Sequence, residues 1–229
     1  MGRGTGKARN DDERRAGAGG GATAPLAGDV LRAPRHVRGR ALRPGPARRR
    51  GVPGRRRPAG AGHGRDALAF ARAGFSVHAT DFSATGLAQL RRAAQEQGLD
   101  GRITTDVHDV RDPLPLPLPD DSVDAVFAHM LLCMALSTQQ LRDVLAEVRR
   151  VLRPGGAFVY TVRHTGDAHY GTGVAHGDGV YEHGGFAVHF FDRALVDELV
   201  VGWRLTDVHG FEEGDLPRRL WRVTQTLPG

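Results

Sequence analysis

Cysteine is nearly missing from the 229-residue chain: Cys133 is the single one, so no internal disulfide can form. It lies in the apolar run 130–136, which suits a buried thiol better than a reactive one. Long apolar runs are missing too, and none approaches the roughly 20 residues that span a bilayer. The amino-terminal stretch is rich in Arg and Gly and has no apolar centre, so it does not read as a secretory leader, and the cytoplasm is the expected compartment. Aromatic residues make up only 6% of the chain, and none precedes Phe70. With 40% apolar and 25% charged residues, the length suffices for one globular domain.

The net charge of +6 is unevenly placed. Residues 1–60 hold 16 of the 32 Lys and Arg but 4 of the 26 Asp and Glu, a net of +12 that leaves −6 for the remainder. Gly, Arg, Pro and Ala make up 44 of those 60 residues, too little apolar surface to offset the entropy of ordering. Residues 1–57 are therefore expected to form a disordered basic tail. The functional alternative is a phosphate-binding arm, but the arginine runs 48–50 and 55–57 lack the interleaved aromatics that stack on bases. A third reading concerns the gene. These four residues have GC-rich codons, so a GC-rich gene read out of frame yields the same mixture; shifted by one base, the codons for residues 57–61 can encode Val-Leu-Leu-Glu-Leu, a buried strand ending in an acid.

From residue 58 onward strands and helices alternate. The spacing predicts strands at 76–81, 102–109, 123–128 and 157–162, with helices at 65–73, 85–97 and 137–152. Ser137 suits an N-cap, and Pro154-Gly155-Gly156 a stop. The segment 113–119 alternates Pro with Leu and must be a non-helical connection. After a Gly- and His-rich insert at 164–191 come a helix at 193–201 and two strands, 203–208 and 219–226, able to pair antiparallel. The alternation implies an α/β sheet with right-handed crossovers.

Ligands of such sheets bind at the carboxyl ends of the strands. Gly60, Gly62 and Gly64 would let the backbone approach a ligand there and open a helix whose N–H groups face it. Asp81 follows 17 residues after Gly64, at the end of the next strand, where a carboxylate can accept both ribose hydroxyls. The Gly-x-Gly-x-Gly spacing is not the Gly-x-Gly-x-x-Gly of dinucleotide binders, which argues against a nicotinamide cofactor.

These pieces, taken with His108-Asp109-Val110, the segment 119–126 and the segment 148–156, occur in an order that resembles the class I S-adenosylmethionine-dependent methyltransferases. The resemblance covers roughly three quarters of the chain. It implies a doubly wound, mostly parallel seven-stranded sheet closed by an antiparallel hairpin, in one domain over 58–229. It also implies S-adenosylmethionine as cofactor, with Gly60, Gly62, His63 and Gly64 around its methionine part. Asp81 would hold the ribose, Phe82 would lie against the adenine, and Asp109 and Val110 would meet its amine and ring edge. His129 would face the reactive end, as a binding and catalytic residue. The first strand departs from the family: Arg55-Arg56-Arg57-Pro58-Ala59 stands where a hydrophobic strand is due, with Pro58 at the acidic position. A proline and three arginines suit the centre of a sheet badly.

The insert holds His164, His169, Tyr170, His176, His183 and His189. Their spacing matches no metal-ligand pattern, and no metal is expected. The insert reads as a lid over the methyl acceptor, in which His164, His169 or Tyr170 orients or deprotonates it. The net −6 of residues 61–229 argues against nucleic acid and for a small-molecule acceptor, without a membrane partner. Oligomeric state is not legible. The rivals are a family member that no longer binds the cofactor, and a nucleic-acid-associated enzyme using the basic tail.

Overall fold

A computed structural model describes residues 27–32, 64–111, 115–214 and 218–229. In chain order the elements are strand β1 (Ala27–Arg32), helix α1 (Arg65–Arg72), β2 (Ser76–Asp81), α2 (Ala84–Glu96), a 3-10 turn (Asp100–Arg102), β3 (Ile103–Val107), β4 (Val123–His129), α3 (Thr138–Val151) and β5 (Leu152–Arg163). They are followed by β6 (Val174–Gly177), β7 (Val180–His183), β8 (Phe186–His189), α4 (Arg193–Leu199), β9 (Arg204–Glu213) and β10 (Arg218–Thr226).

Local chemistry sets the helix starts. Ser83 accepts from the Gly86 N–H at 3.1 Å and caps α2. Ser137 and Gln140 form a reciprocal capping box on α3. Asp192 caps α4 by accepting from the Leu195 N–H at 2.7 Å. The Pro-Leu connection is tied down by Arg150, which donates to the carbonyls of Leu116 and Leu118.

The main sheet has seven strands in the order β3-β2-β1-β4-β5-β10-β9. Its two faces carry separate cores, as a doubly wound sheet requires. Ala67, Leu68 and Ala71 of α1 and Leu90 and Ala94 of α2 pack on Val77, Ala79 and Ala125. On the other face Leu141, Val144, Leu145 and Val148 of α3 cover Val126, Ala128, Phe158 and Tyr160. A fully buried Leu or Val contributes roughly 1.5–3 kcal/mol, so these stripes are the main source of stability. Cys133 is buried there, and burial pushes its thiol up to about 11, which keeps it protonated and unreactive.

The expectation of a mostly parallel sheet is corrected. Strands β2 and β3 pair parallel, as do β4 and β5, but β1 runs antiparallel to both β2 and β4. The expected hairpin is present, with β10 antiparallel to β5 and β9. The central place goes to Ala27–Arg32, six residues of the segment read as tail, and not to the chain just before the glycine loop. Ala27–Arg32 has no proline, so every residue can donate to the ladder, whereas Pro58 could not. An antiparallel entry is sterically open because residues 33–63, a long connection, follow it. The remaining residues read as tail, and 55–63, lie outside the described residues.

The insert is also more ordered than a loop: β6, β7 and β8 form an antiparallel three-stranded sheet. Among the described residues no helix is long and apolar enough to cross a membrane.

In β1, Val30 pairs with His78 on one side and Val126 on the other. Val30→Pro removes a ladder donor from the middle of the sheet and is expected to cost about 3 kcal/mol or more, read as a lower midpoint in urea unfolding.

Candidate active site

The carboxyl ends of β2, β3, β4 and β5 share one edge of the sheet, because these strands point the same way. Asp81 ends β2 and is 4% exposed. Its Oδ1 accepts from the Ser83 N–H at 2.7 Å, and no other hydrogen bond reaches the carboxylate among the described residues. Burial raises its pKa, as expected of a carboxylate short of donors. The His108 N–H donates to the Asp81 carbonyl at 3.0 Å, which fixes the ends of β2 and β3 side by side. Asp109 is gripped by Arg111, whose Nε donates at 2.9 Å, and that hydrogen bond holds its carboxyl below the usual range. The Arg111 guanidinium lies 5.8 Å from the Phe82 ring centroid. Phe82 and Val110 are partly buried against the larger core.

Gly64 has φ 65° at the mouth of α1, and a Cβ there would lie 2.3 Å from Leu90 Cδ1. The position therefore demands glycine twice over, for its backbone and for its closeness to α2. Gly60, Gly62 and His63 lie outside the described residues.

His129 ends β4, and its partners come from two strands that sequence reasoning did not connect to it. Its Nδ1 is 2.8 Å from the Thr161 hydroxyl of β5. Thr161 Oγ1 also accepts from the Met130 N–H at 3.0 Å. The Nε2 is 3.3 Å from Oε2 of Glu213, the last residue of β9. The imidazole beside Glu213 holds its carboxyl below the usual range, against the effect of burial. The reading of 203–208 as a strand ended too early to include Glu213, and only the full length of β9 carries it to this edge.

No hydrogen bond or ring contact joins His129 to His164 or Tyr170. His164 stacks on Trp221 with ring centroids 4.5 Å apart, and its Nδ1 accepts from the Gly166 N–H at 3.0 Å. Burial lowers its pKa, which keeps it neutral. Tyr170 packs edge-on against Tyr181 and Phe190. His169 takes a hydrogen bond from Arg163 at Nδ1 at 2.8 Å. These three residues thus build the base of the insert together.

That base is organised by a buried ion pair between Arg163 and Asp167, whose side chains are 10% and 1% exposed. Arg163 Nε donates to Asp167 at 3.1 Å, and the N–H groups of His169 and Arg219 donate to it at 2.9 and 2.8 Å. The Arg163 guanidinium also lies 5.0 Å from the Phe190 ring centroid. Among the described residues no group of three His, Cys, Asp or Glu side chains could hold a metal ion.

Residues 58–156 match the family described as a methyltransferase domain. Over 103 residues the chain is 38% identical to a dimethylglycine N-methyltransferase of Parasynechococcus marenigrum (strain WH8102), covering 44% of this chain and 35% of that one. The chain spans about a third of the length of that curated relative. A SAM-dependent methyltransferase from Methanosarcina mazei superposes with a TM-score of 0.63 at 16% identity, over 72% of this chain and 88% of that chain. A Burkholderia thailandensis 1,6-didemethyltoxoflavin-N1-methyltransferase, solved with 1,6-didemethyltoxoflavin and S-adenosylhomocysteine bound, superposes with a TM-score of 0.56 at 20% identity, over 74% and 68% of the two chains. Residues 58–156 thus match a methyltransferase domain, and the fold is that of the S-adenosylmethionine-dependent methyltransferases on which the chain superposes. S-adenosylmethionine is the cofactor of that class.

The residues present fit such a cofactor at its ribose and adenine end. Among the described residues the Asp81 carboxylate accepts one hydrogen bond, from the Ser83 N–H, and the neighbouring His108 Nε2 is buried without a partner.

Arg163→Leu leaves Asp167 buried and unpaired, and is expected to destabilise the protein by about 3–5 kcal/mol in urea melts at neutral pH. Burial pushes the Asp167 carboxyl up, but Arg163 and the two backbone donors outweigh it and hold it below the ordinary 3.8. Its stabilisation is therefore complete above that value and is lost as the pH falls through the depressed native one. In the leucine variant the unpaired carboxyl titrates upward instead, and acidification from neutral pH should narrow its deficit against the wild type.

Proposed function

We propose that the chain transfers the methyl group of S-adenosylmethionine to a small-molecule acceptor by in-line displacement, in the cytoplasm. The cofactor supplies an activated methyl group on a sulfonium. Asp81 binds the ribose hydroxyls through its carboxylate, and Asp109 and Val110 receive the adenine edge beside Phe82. Gly64, with Gly60, Gly62 and His63, holds the methionine part at the start of α1. His129 faces the reactive end, kept in orientation by Thr161. The insert over 164–191 covers the acceptor and excludes water, with His164 and Tyr170 in its base. The enzyme then contributes alignment and exclusion of solvent, which can lower a barrier by several kcal/mol without covalent participation.

The observation that carries this reading is Asp81, a buried residue at the carboxyl edge of the sheet whose carboxylate accepts one hydrogen bond among the described residues, within a matched methyltransferase domain. A small-molecule acceptor is supported by the names of the relatives, which act on dimethylglycine and on a didemethyltoxoflavin. It is supported also by the net −6 of residues 61–229, which offers no basic groove to nucleic acid.

Calorimetric titration of S-adenosylhomocysteine into the full chain tests the reading. Saturable binding with one site is expected, and absence of binding overturns it. Asp81→Ala should weaken that binding by about 1–3 kcal/mol, the scale of a lost hydrogen bond to a charged partner. An unchanged affinity removes Asp81 from the site.

A further inference from the structure

Most carboxylates withdrawn from solvent in this protein are matched by an arginine. Asp109 is hydrogen-bonded to Arg111, Asp124 to Arg153, Glu147 to Arg150 and Asp167 to Arg163. Asp81 and Glu213 accept no hydrogen bond from an arginine among the described residues, and both stand at the carboxyl edge of the sheet. Glu213 ends β9 and reaches over that edge. Its Oε2 is 3.3 Å from His129 Nε2 at the end of β4, and its Oε1 is 3.9 Å from Arg65 at the start of α1. The carboxylate thus lies between the end of β4 and the start of α1.

Neither neighbour satisfies it. His129 Nε2 comes within 3.3 Å of Oε2 without hydrogen-bond alignment, so that among the described residues the buried Oε2 accepts no aligned hydrogen bond, although His129, Arg65 and Arg218 together favour its ionised form. Arg65 is beyond hydrogen-bond length, and its side chain is 71% exposed, where water screens its charge. A buried carboxylate oxygen without a donor is costly, and a ligand that brings a charged N–H removes the cost. His129 cannot turn to supply it, because Thr161 holds its Nδ1 and the Phe127 ring stacks beside it.

We propose that Glu213 is a specificity-determining residue that anchors the methyl acceptor, and that the acceptor is a small basic amine that arrives as its ammonium, donates its N–H to Oε2 and gives up that proton through Glu213 to solvent, which frees the lone pair that forms the N–C bond as the bond from methyl carbon to sulfonium sulfur breaks. The assignment rests on the methyltransferase reading of the cleft. It explains why an anion is kept at this place: a nitrogen nucleophile gains positive charge as it takes a methyl group, and a fixed carboxylate stabilises that charge more than it stabilises a neutral acceptor. A phenolic, thiol or carboxylate acceptor, which sheds a proton or already carries negative charge, would meet repulsion from the same oxygen.

The experiment uses the full chain, first unloaded and then saturated with S-adenosylhomocysteine, titrated with dimethylethanolamine and with its uncharged isostere 3-methylbutan-1-ol. The wild type should bind the amine at least about tenfold more tightly than the alcohol, the effect of one charge-assisted hydrogen bond. Glu213→Gln keeps the shape and should abolish the preference while leaving affinity for S-adenosylhomocysteine within about twofold. Equal binding of amine and alcohol by the wild type, or a preference that survives in Glu213→Gln, overturns the assignment. Failure to bind S-adenosylhomocysteine overturns the methyltransferase reading instead, and the amine preference of the unloaded chain still decides the role of Glu213.

Discussion

The buried pair of Arg163 and Asp167 is the interaction on which the functional half of the molecule depends. Arg163 is the last residue of β5, and Asp167 lies one turn into the insert. Asp167 also receives the N–H of Arg219, so the same carboxylate fastens β10 to the insert. Three pieces of chain that share no helix are thereby held in one register: the end of β5, the base of the insert and the hairpin that carries Glu213. Removing two charges from water costs several kcal/mol each, and the pair persists because nearly every lone pair and proton finds a partner. Its return is geometric, since a one-residue slip of β10 against β5 would break it.

Much of the fold was legible in the residues. The acid-terminated strand at Asp81, the stripe from Leu141 to Val148 on α3 and the Ser137 cap are local features, and local periodicity and capping chemistry decide them. The direction of β1 was not legible. Gly28, Asp29, Val30 and Leu31 can form a strand of either sense, and only the identity of the neighbours and the length of residues 33–63 decide between them. The order within the insert escaped for a related reason: glycines at 177, 179, 184 and 185 read as loop chemistry, yet all four have positive φ and serve the tight turns between β6, β7 and β8.

The site was legible in proportion to its dependence on single positions. Asp81 announces itself because a carboxylate at the end of a strand is unusual and its spacing from Gly64 is diagnostic. His129 is a candidate by its place after the fourth strand read from the sequence, but Thr161 and Glu213 lie far from it in sequence and reach it only through the register of β4 with β5 and the full length of β9. Such partners have no sequence signature of their own, because the contact exists only after the sheet has assembled. His164, read as a chemical residue, has its ring flat against Trp221, a contact with no signature in the sequence.

At its far end the insert is fastened a second time. Asp178, in the turn after β6, accepts from both the N–H and the hydroxyl of Thr138 at 2.6 Å, where α3 begins. Behind it, His189 donates from Nδ1 to the Leu136 carbonyl at 2.7 Å. The two moorings differ in kind: the base is a buried ion pair, the tip a pair of hydrogen bonds on the surface that water can replace at little cost. Thermal fraying of the insert is therefore expected to start at the surface pair between Asp178 and Thr138, before the buried hydrogen bond of His189 and the ion pair at the base give way. The insert thus has one strong seam, at its base, and one weak seam, at its tip.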